Sequence, residues 1–147
     1  MRVEKSIEIA AAPERIWSFL VEPDKILQWC ITLERFEYTG EQLSGVGTPF
    51  YFEERAGGRL MKLNFAVTEW VENKALAFRM TSGNMVRDYE QRWAMEPTAS
   101  GSRFAFMENV ELPYGIIGKA LGLIARPRSE AIVGRMLVRL NSLAEAA

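Results

Sequence analysis

The sequence contains no histidine and only one cysteine, Cys30, among its 147 residues. Histidine is the usual general base near neutral pH and the commonest metal ligand, so its absence excludes Ser-His and Cys-His dyads. A single cysteine excludes an intramolecular disulfide and a cysteine-rich zinc site, and it fits a reducing compartment. No acidic run has the spacing of an EF-hand loop. We therefore expect neither a metal nor a cofactor.

The chain also lacks an excess of charge of one sign and a long apolar run. Its formal net charge of −1 gives no reason to expect nucleic acid or an anionic membrane as a partner. The longest apolar stretch, 112–125, is interrupted by Lys119 and is shorter than the roughly 20 residues that span a bilayer. The N-terminal segment has no cationic n-region followed by an apolar h-region, so we expect no secretion signal. We expect a cytoplasmic protein without stable membrane insertion, either a monomer or a weak homodimer.

The length and composition are those of an ordinary globular domain. Apolar residues make up 48% of the chain and charged residues 25%. A chain of this length can bury roughly 68–70% of its unfolded surface, so it needs no disulfide or metal for stability. We expect a single domain over residues 1–147.

The order of periodic segments predicts a strand, two short helices, six further strands and a closing helix. Alternating residues in 2–9 indicate a half-buried strand, and Pro13 and Pro23 each suit the first turn of a helix. The final helix is expected over 116–125 and again from Ser129, with Pro127 kinking or restarting it. The six strands are expected at 33–38, 48–55, 59–72, 75–81, 85–96 and 102–112.

Short turns between those six strands favour an antiparallel meander. Gly57-Gly58 is a strong signal for a two-residue hairpin, and Asn73-Lys74 is a plausible second one. The predicted fold class is α+β, with a seven-stranded curved antiparallel sheet wrapped round a long C-terminal helix and two short helices between the first two strands.

Several local patterns resemble the START-like helix-grip superfamily, in particular its polyketide cyclase/dehydrase and lipid transport-like branch. The opening strand is followed by Ala12-Pro-Glu-Arg-Ile-Trp-Ser-Phe-Leu20 and then by Glu22-Pro-Asp-Lys-Ile-Leu-Gln-Trp29. Further matches are Trp93-Ala-Met-Glu-Pro97, Gly101-Ser-Arg-Phe104 and Leu112-Pro-Tyr-Gly-Ile-Ile-Gly118. The resemblance covers nearly the whole chain. It implies a helix-grip fold and a hydrophobic ligand, and the superfamily ranges from lipid carriers to aromatic cyclases, so fold alone does not choose the chemistry.

The strand pattern predicts which side chains face the interior. If Asn73-Lys74 is a two-residue loop, Val71 lies opposite Leu76. One face then contains Met61, Leu63, Phe65, Val67, Leu76, Phe78 and Met80, with Glu69 on the same side near the strand end. The same alternation on the next two strands predicts further inward-facing side chains: Tyr89, Gln91, Trp93 and Met95, and then Phe104, Phe106 and Glu108.

Each of these assignments has an alternative. The aromatic residues are also what a plain hydrophobic core would contain. Gln91 and Glu108 would face water if a bulge shifted the register. If they point inward, each needs a partner or a ligand group, because an unpaired buried polar group costs several kcal/mol. Arg55, Arg79 and Arg103 are the candidate partners.

Three functions remain open at this point. The first is binding or transport of a lipid-like or aromatic polyketide-like molecule in an internal cavity, favoured because no catalytic constellation is visible. The second is a cyclase/dehydratase-type enzyme without metal or histidine, using Glu108 with Tyr89 as an acid/base pair. The third is a protein-interaction module without a ligand. No catalytic residue is assigned, and the predicted ligand-binding residues are Phe65, Phe78, Tyr89, Gln91, Trp93, Phe104, Phe106, Glu108 and Met136.

Overall fold

The computed structural model describes residues 1–147 and contains one antiparallel sheet and three helices. In chain order the elements are β1 (Arg2–Ile9), α1 (Pro13–Val21), α2 (Pro23–Trp29), β2 (Leu33–Tyr38), β3 (Pro49–Ala56), β4 (Arg59–Val71), β5 (Ala75–Gly83), β6 (Asp88–Thr98), β7 (Gly101–Glu111) and α3 (Gly115–Ala146). The seven strands are ordered β1-β7-β6-β5-β4-β3-β2, and every neighbouring pair is antiparallel. The predicted α+β helix-grip architecture is confirmed.

The two short helices begin where the prolines predict. Pro13 and Pro23 each occupy the start of a helix, where the missing N–H group would have had no intrahelical acceptor. The apolar stripe of α1 is buried, and Trp29 at the end of α2 donates its indole N–H to the Phe19 carbonyl over 2.7 Å. This bond ties the two helices together, and α2 in turn packs against β2.

The C-terminal helix α3 runs without interruption from Gly115 to Ala146. It continues through Pro127, so that residue does not end the helix. The helix packs against β1, β7, α1 and α2. Its inward residues are Val133, Met136, Leu137 and Leu140, all buried. None of the three helices combines the length and the apolar character that a membrane-spanning segment requires.

One of the two predicted hairpin registers is correct. Ala56 pairs with Arg59 around Gly57-Gly58, and both glycines have positive φ, as a tight two-residue loop requires. The Asn73-Lys74 prediction is wrong by one residue. Val71 pairs with Ala75, so the loop has three residues, with Asn73 in the left-handed region at φ 65°.

An irregularity in β4 compensates for that error. The register shifts between Val67 and Glu69, so that Val67 lies opposite Phe78 and both side chains face inward. The seven apolar residues assigned to the inner face therefore do share it, although the register that led to the assignment was wrong. A bulge of this kind inserts an extra residue and reverses the alternation beyond it.

The same irregularity makes the inward prediction for Glu69 wrong. Glu69 accepts a hydrogen bond from Nε of Arg92 over 2.7 Å, and both side chains are solvent-accessible. Beyond the bulge Trp70 takes the inward side and packs against the core, with its ring centroid 5.4 Å from that of Trp17. A larger apolar residue thus occupies the place that simple alternation gave to a carboxylate.

Candidate functional site

A cavity of about 580 Å³ lies between the inner face of the sheet and the middle of α3. Its interior is lined by buried residues of three strands and of the helix: Met61, Tyr89, Gln91, Phe106, Val110, Val133 and Met136. Its rim is formed by the exposed β3–β4 hairpin and by exposed residues of α3, among them Arg55, Gly57, Ala125 and Arg128. More than half of the lining residues are hydrophobic. The polar ones lie mainly on β3, β6 and β7 and on α3, which contributes Arg128, Ser129 and Arg135.

The structure divides the nine predicted ligand-binding residues into two groups. Tyr89, Gln91, Phe106, Glu108 and Met136 line the cavity. The other four, Phe65, Phe78, Trp93 and Phe104, are buried in the packed core away from it. For that second group the plain-core interpretation describes the observed packing, and a ligand-binding role for any of the nine stays a prediction.

The polar residues of the cavity form one connected cluster. Gln91 on β6 lies directly opposite Glu108 on β7, and the two strands pair without a register shift. The Tyr89 hydroxyl is 2.6 Å from Oε1 of Glu108. Gln91 donates from Nε2 to the Tyr89 oxygen over 2.8 Å and to Oε1 of Glu108 over 3.1 Å. Trp93 donates its indole N–H to Oε1 of Gln91 over 2.9 Å.

Two further members of this cluster were missed from the sequence. Oε1 of Glu54, on β3, is 3.0 Å from the Tyr89 hydroxyl, and Oε2 of Glu54 accepts a 2.8 Å hydrogen bond from Thr32. The signal for Glu54 was present, because Phe50 and Phe52 precede it at alternating positions and both are buried. No comparable pattern marks Thr32, which reaches Glu54 from the segment before β2.

The predicted arginine partners for Gln91 and Glu108 are wrong. Arg55 binds Glu34 and Arg79 binds Asp88, all at the protein surface. The Arg103 side chain makes no hydrogen bond or ion pair with either residue. Gln91 and Oε1 of Glu108 are instead hydrogen-bonded by neutral side chains of β6. A tyrosine, an amide and an indole achieve this without the desolvation cost of burying a second charge.

Burial controls the acidity of the cluster. Desolvation, together with the neighbouring Glu108 carboxylate, raises the pKa of Glu54 to about 7, although the hydrogen bonds with Thr32 and Tyr89 oppose the rise. Desolvation also raises the pKa of Glu108, against the hydrogen bonds from Tyr89 and Gln91 and the charge of the N-terminal ammonium. Burial and the two carboxyl groups raise the pKa of Tyr89. The site therefore holds a proton near neutrality that exposed carboxylates would release.

No group of three or more histidine, cysteine, aspartate or glutamate side chains is arranged to hold a metal ion. We expect treatment with EDTA to leave the melting temperature and any ligand affinity unchanged. Thermal unfolding monitored by circular dichroism, with and without the chelator, tests this. A melt that falls with EDTA and is restored by one divalent ion would contradict the prediction.

A curved antiparallel sheet closed by a long terminal helix defines the helix-grip fold. Residues 1–145 match the family described as "Polyketide cyclase / dehydrase and lipid transport", and the chain belongs to that family. No match was found among curated proteins.

Solved structures share the fold at low sequence identity. The structure of TTHA0849 from Thermus thermophilus has a TM-score of 0.79 at 22% identity, covering 99% of this chain and 97% of that one. A START superfamily protein from Mycobacterium smegmatis has a TM-score of 0.73 at 19% identity, covering 99% and 94%. The di-domain ARO/CYC StfQ from the steffimycin biosynthetic pathway has a TM-score of 0.77 at 14% identity, covering 99% of this chain and 51% of StfQ. These likenesses show the fold alone.

Proposed function

We propose that this protein binds or transports a hydrophobic small molecule, lipid-like or aromatic and polyketide-like, in the cavity between the sheet and α3. The observation that carries the proposal is an apolar cavity of about 580 Å³ with one polar cluster in its wall. That volume lies within the roughly 300–1,000 Å³ of small-molecule sites, which combine apolar walls with a few orienting polar groups. The family description, which names both lipid transport and cyclase activity, supports a ligand of this kind.

Native mass spectrometry of freshly purified protein, followed by extraction, would identify a bound compound directly. A titration with fatty acids, sterols and flavonoid-like aromatics provides the complementary measurement. We expect at least one compound to bind more tightly than about 1 mM, which corresponds to about −4.1 kcal/mol. If no compound does so and nothing is extracted, the proposal is wrong and the interaction-module hypothesis takes its place.

A matched pair of substitutions on α3 tests the location of the site. Ile132 lines the cavity, whereas Val138 is 60% exposed on the same helix. We expect Ile132→Trp to fill part of the cavity and weaken binding at least tenfold, and Val138→Trp to leave it unchanged. Circular dichroism checks that both variants are folded. Equal affinities for the two variants would place the ligand elsewhere.

The Tyr89–Glu108 contact of 2.6 Å supports a second candidate, a cyclase/dehydratase-type enzyme. A carboxyl group hydrogen-bonded to a phenol in a largely apolar cavity can move a proton to or from a bound carbonyl compound. In that case the extracted compound should be converted by added protein with loss of one water molecule, and Glu108→Gln should stop the conversion. Unchanged recovery of the compound favours binding or transport alone.

A further inference from the structure

The hydrogen bonds of the polar cluster use nearly every donor it contains. Trp93 can only donate, so its bond to Oε1 fixes the orientation of the Gln91 amide. Both Nε2 hydrogens of Gln91 then point to Tyr89 and Glu108. The Thr32 hydroxyl is directed to Oε2 of Glu54. The Tyr89 hydroxyl is the remaining side-chain donor of the cluster, and it lies against carboxyl oxygens.

The Tyr89 hydroxyl has one hydrogen but lies between two carboxyl oxygens, at 2.6 Å from Glu108 and 3.0 Å from Glu54. Two proton arrangements satisfy these contacts, and they differ in which carboxyl group holds the proton. Because desolvation and the Glu108 charge raise the pKa of Glu54, the arrangement with the proton on Glu54 is favoured. Tyr89 donates to Glu108 over the shorter distance, and a protonated Glu54 donates back to the Tyr89 oxygen. The cluster is then a chain that runs from Thr32 through Glu54 and Tyr89 and ends at an ionised Glu108.

The end of that chain has a free acceptor atom. Oε1 of Glu108 accepts from both Tyr89 and Gln91, whereas Oε2 accepts from no side chain or backbone group. Asn141 Oδ1 is the one side-chain polar atom that is sealed from solvent without a partner, so Oε2 of Glu108 is open to the cavity that the residue lines. A ligand that displaces water from this oxygen must supply a donor in its place, because a charged group left unpaired on burial is costly.

The surrounding charges favour a neutral donor. The N-terminal ammonium, which acts electrostatically on Glu108, is held on the Val110 carbonyl at 2.7 Å. Arg55, Arg128 and Arg135 stand at the rim of the cavity. A cationic amine would enter past these like charges, and an organic anion would meet the Glu108 carboxylate inside. A hydroxyl group avoids both penalties.

On the basis of the proposed function, we propose that the cavity selects neutral apolar molecules that carry an alcohol or phenol hydroxyl, which donates to Oε2 of Glu108. Glu54 and Tyr89 act as positioning residues that hold Oε1 and leave Oε2 for the ligand. Sites built around a hydroxyl discriminate strongly against analogues that lack it, because a buried polar group is then left unpaired.

The test compares 1-naphthol with 1-methoxynaphthalene by isothermal titration calorimetry at neutral pH. The two probes have similar shapes, but only 1-naphthol can donate. We expect 1-naphthol to bind at least tenfold more tightly, which corresponds to a difference of about 1.4 kcal/mol. The wild-type comparison needs no variant, so it remains valid if a substitution impairs folding.

Two variants test whether the preference for 1-naphthol depends on Glu108. Glu108→Gln keeps the size of the side chain but can donate through its amide, so we expect the preference to vanish or reverse. Glu111→Gln, an exposed position on the same strand, is the control and should retain it. If both probes bind wild-type protein equally, the hydroxyl inference is overturned while the proposed function stands. If neither binds and the ligand panel also fails, both are overturned.

Discussion

Replacing Trp93 by alanine is expected to lower the free energy of unfolding by about 3–5 kcal/mol, the usual cost of deleting a large buried aromatic side chain. Trp93 is 3% exposed. Its ring contacts Trp29 at a centroid distance of 4.9 Å and Phe78 at 5.3 Å, both edge-to-face. Edge-to-face aromatic pairs stabilise the fold beyond the effect of burying apolar surface area. The substitution also removes the donor that orients Gln91, so part of the loss comes from the polar cluster.

Chemical denaturation of the folded variant measures the effect. Tyr114→Ala is the control, because that aromatic ring is 76% exposed at the start of α3. Surface substitutions usually change stability by less than about 0.5 kcal/mol. A change that small for Trp93→Ala would contradict the packing of this residue in the core. A loss of ligand binding without a loss of stability would indicate that Trp93 contacts the ligand.

The strands and helices were predictable because their local signals are strong. The prolines that begin α1 and α2, the Gly57-Gly58 hairpin and the alternation in β1 are each determined by residues close together in the sequence. The bulge near Glu69 was not predictable, since nothing in that segment marks an extra residue. It is favoured by tertiary packing, which places Trp70 against Trp17.

The candidate site was predictable in part. The inward alternation on β6 and β7 brings Tyr89, Gln91 and Glu108 to one face, and the structure places them together. The contribution of β3 depends on how strongly the sheet curves, because β3 and β7 are separated by three strands in the sheet. Only that curvature brings Glu54 within hydrogen-bond distance of Tyr89. The contact between Glu54 and Tyr89 could therefore not be predicted from the spacing of residues in the sequence.

The raised pKa of Glu54 predicts that the stability of the protein falls as the pH rises. The pKa of Glu54 is raised from its ordinary 4.5 to about 7 in the folded protein. Below about pH 4.5 the group is protonated in both states and has no effect. Between that pH and about 7 the unfolded chain releases the proton while the folded protein retains it, so unfolding becomes more favourable. Each pKa unit corresponds to about 1.36 kcal/mol, which gives a loss of roughly 3 kcal/mol.

Other carboxylates act in the opposite direction. Hydrogen bonds from Arg92 lower the pKa of Glu69, and those from Arg79 lower the pKa of Asp88, so these residues contribute stability that is lost as the pH falls. The measurement must therefore compare wild type with Glu54→Gln at each pH, so that the contributions of the other carboxylates cancel. We expect the stability of wild type minus that of Glu54→Gln to decrease by roughly 3 kcal/mol between about pH 4 and pH 8, measured by urea unfolding at each pH.

A second substitution makes the same prediction sharper. Thr32 donates to Oε2 of Glu54 and favours its ionised form. In Thr32→Val that bond is absent, so the pKa of Glu54 should rise further and the loss of stability should extend to higher pH than in wild type. A wild-type-minus-Glu54→Gln difference that is constant with pH would show that Glu54 is hydrated and ionised in the folded protein. The hydrogen-bonded chain from a protonated Glu54 to Tyr89 and Glu108 would then not form. A pH-dependent loss of stability that disappears in Glu54→Gln and extends to higher pH in Thr32→Val would locate the proton on Glu54.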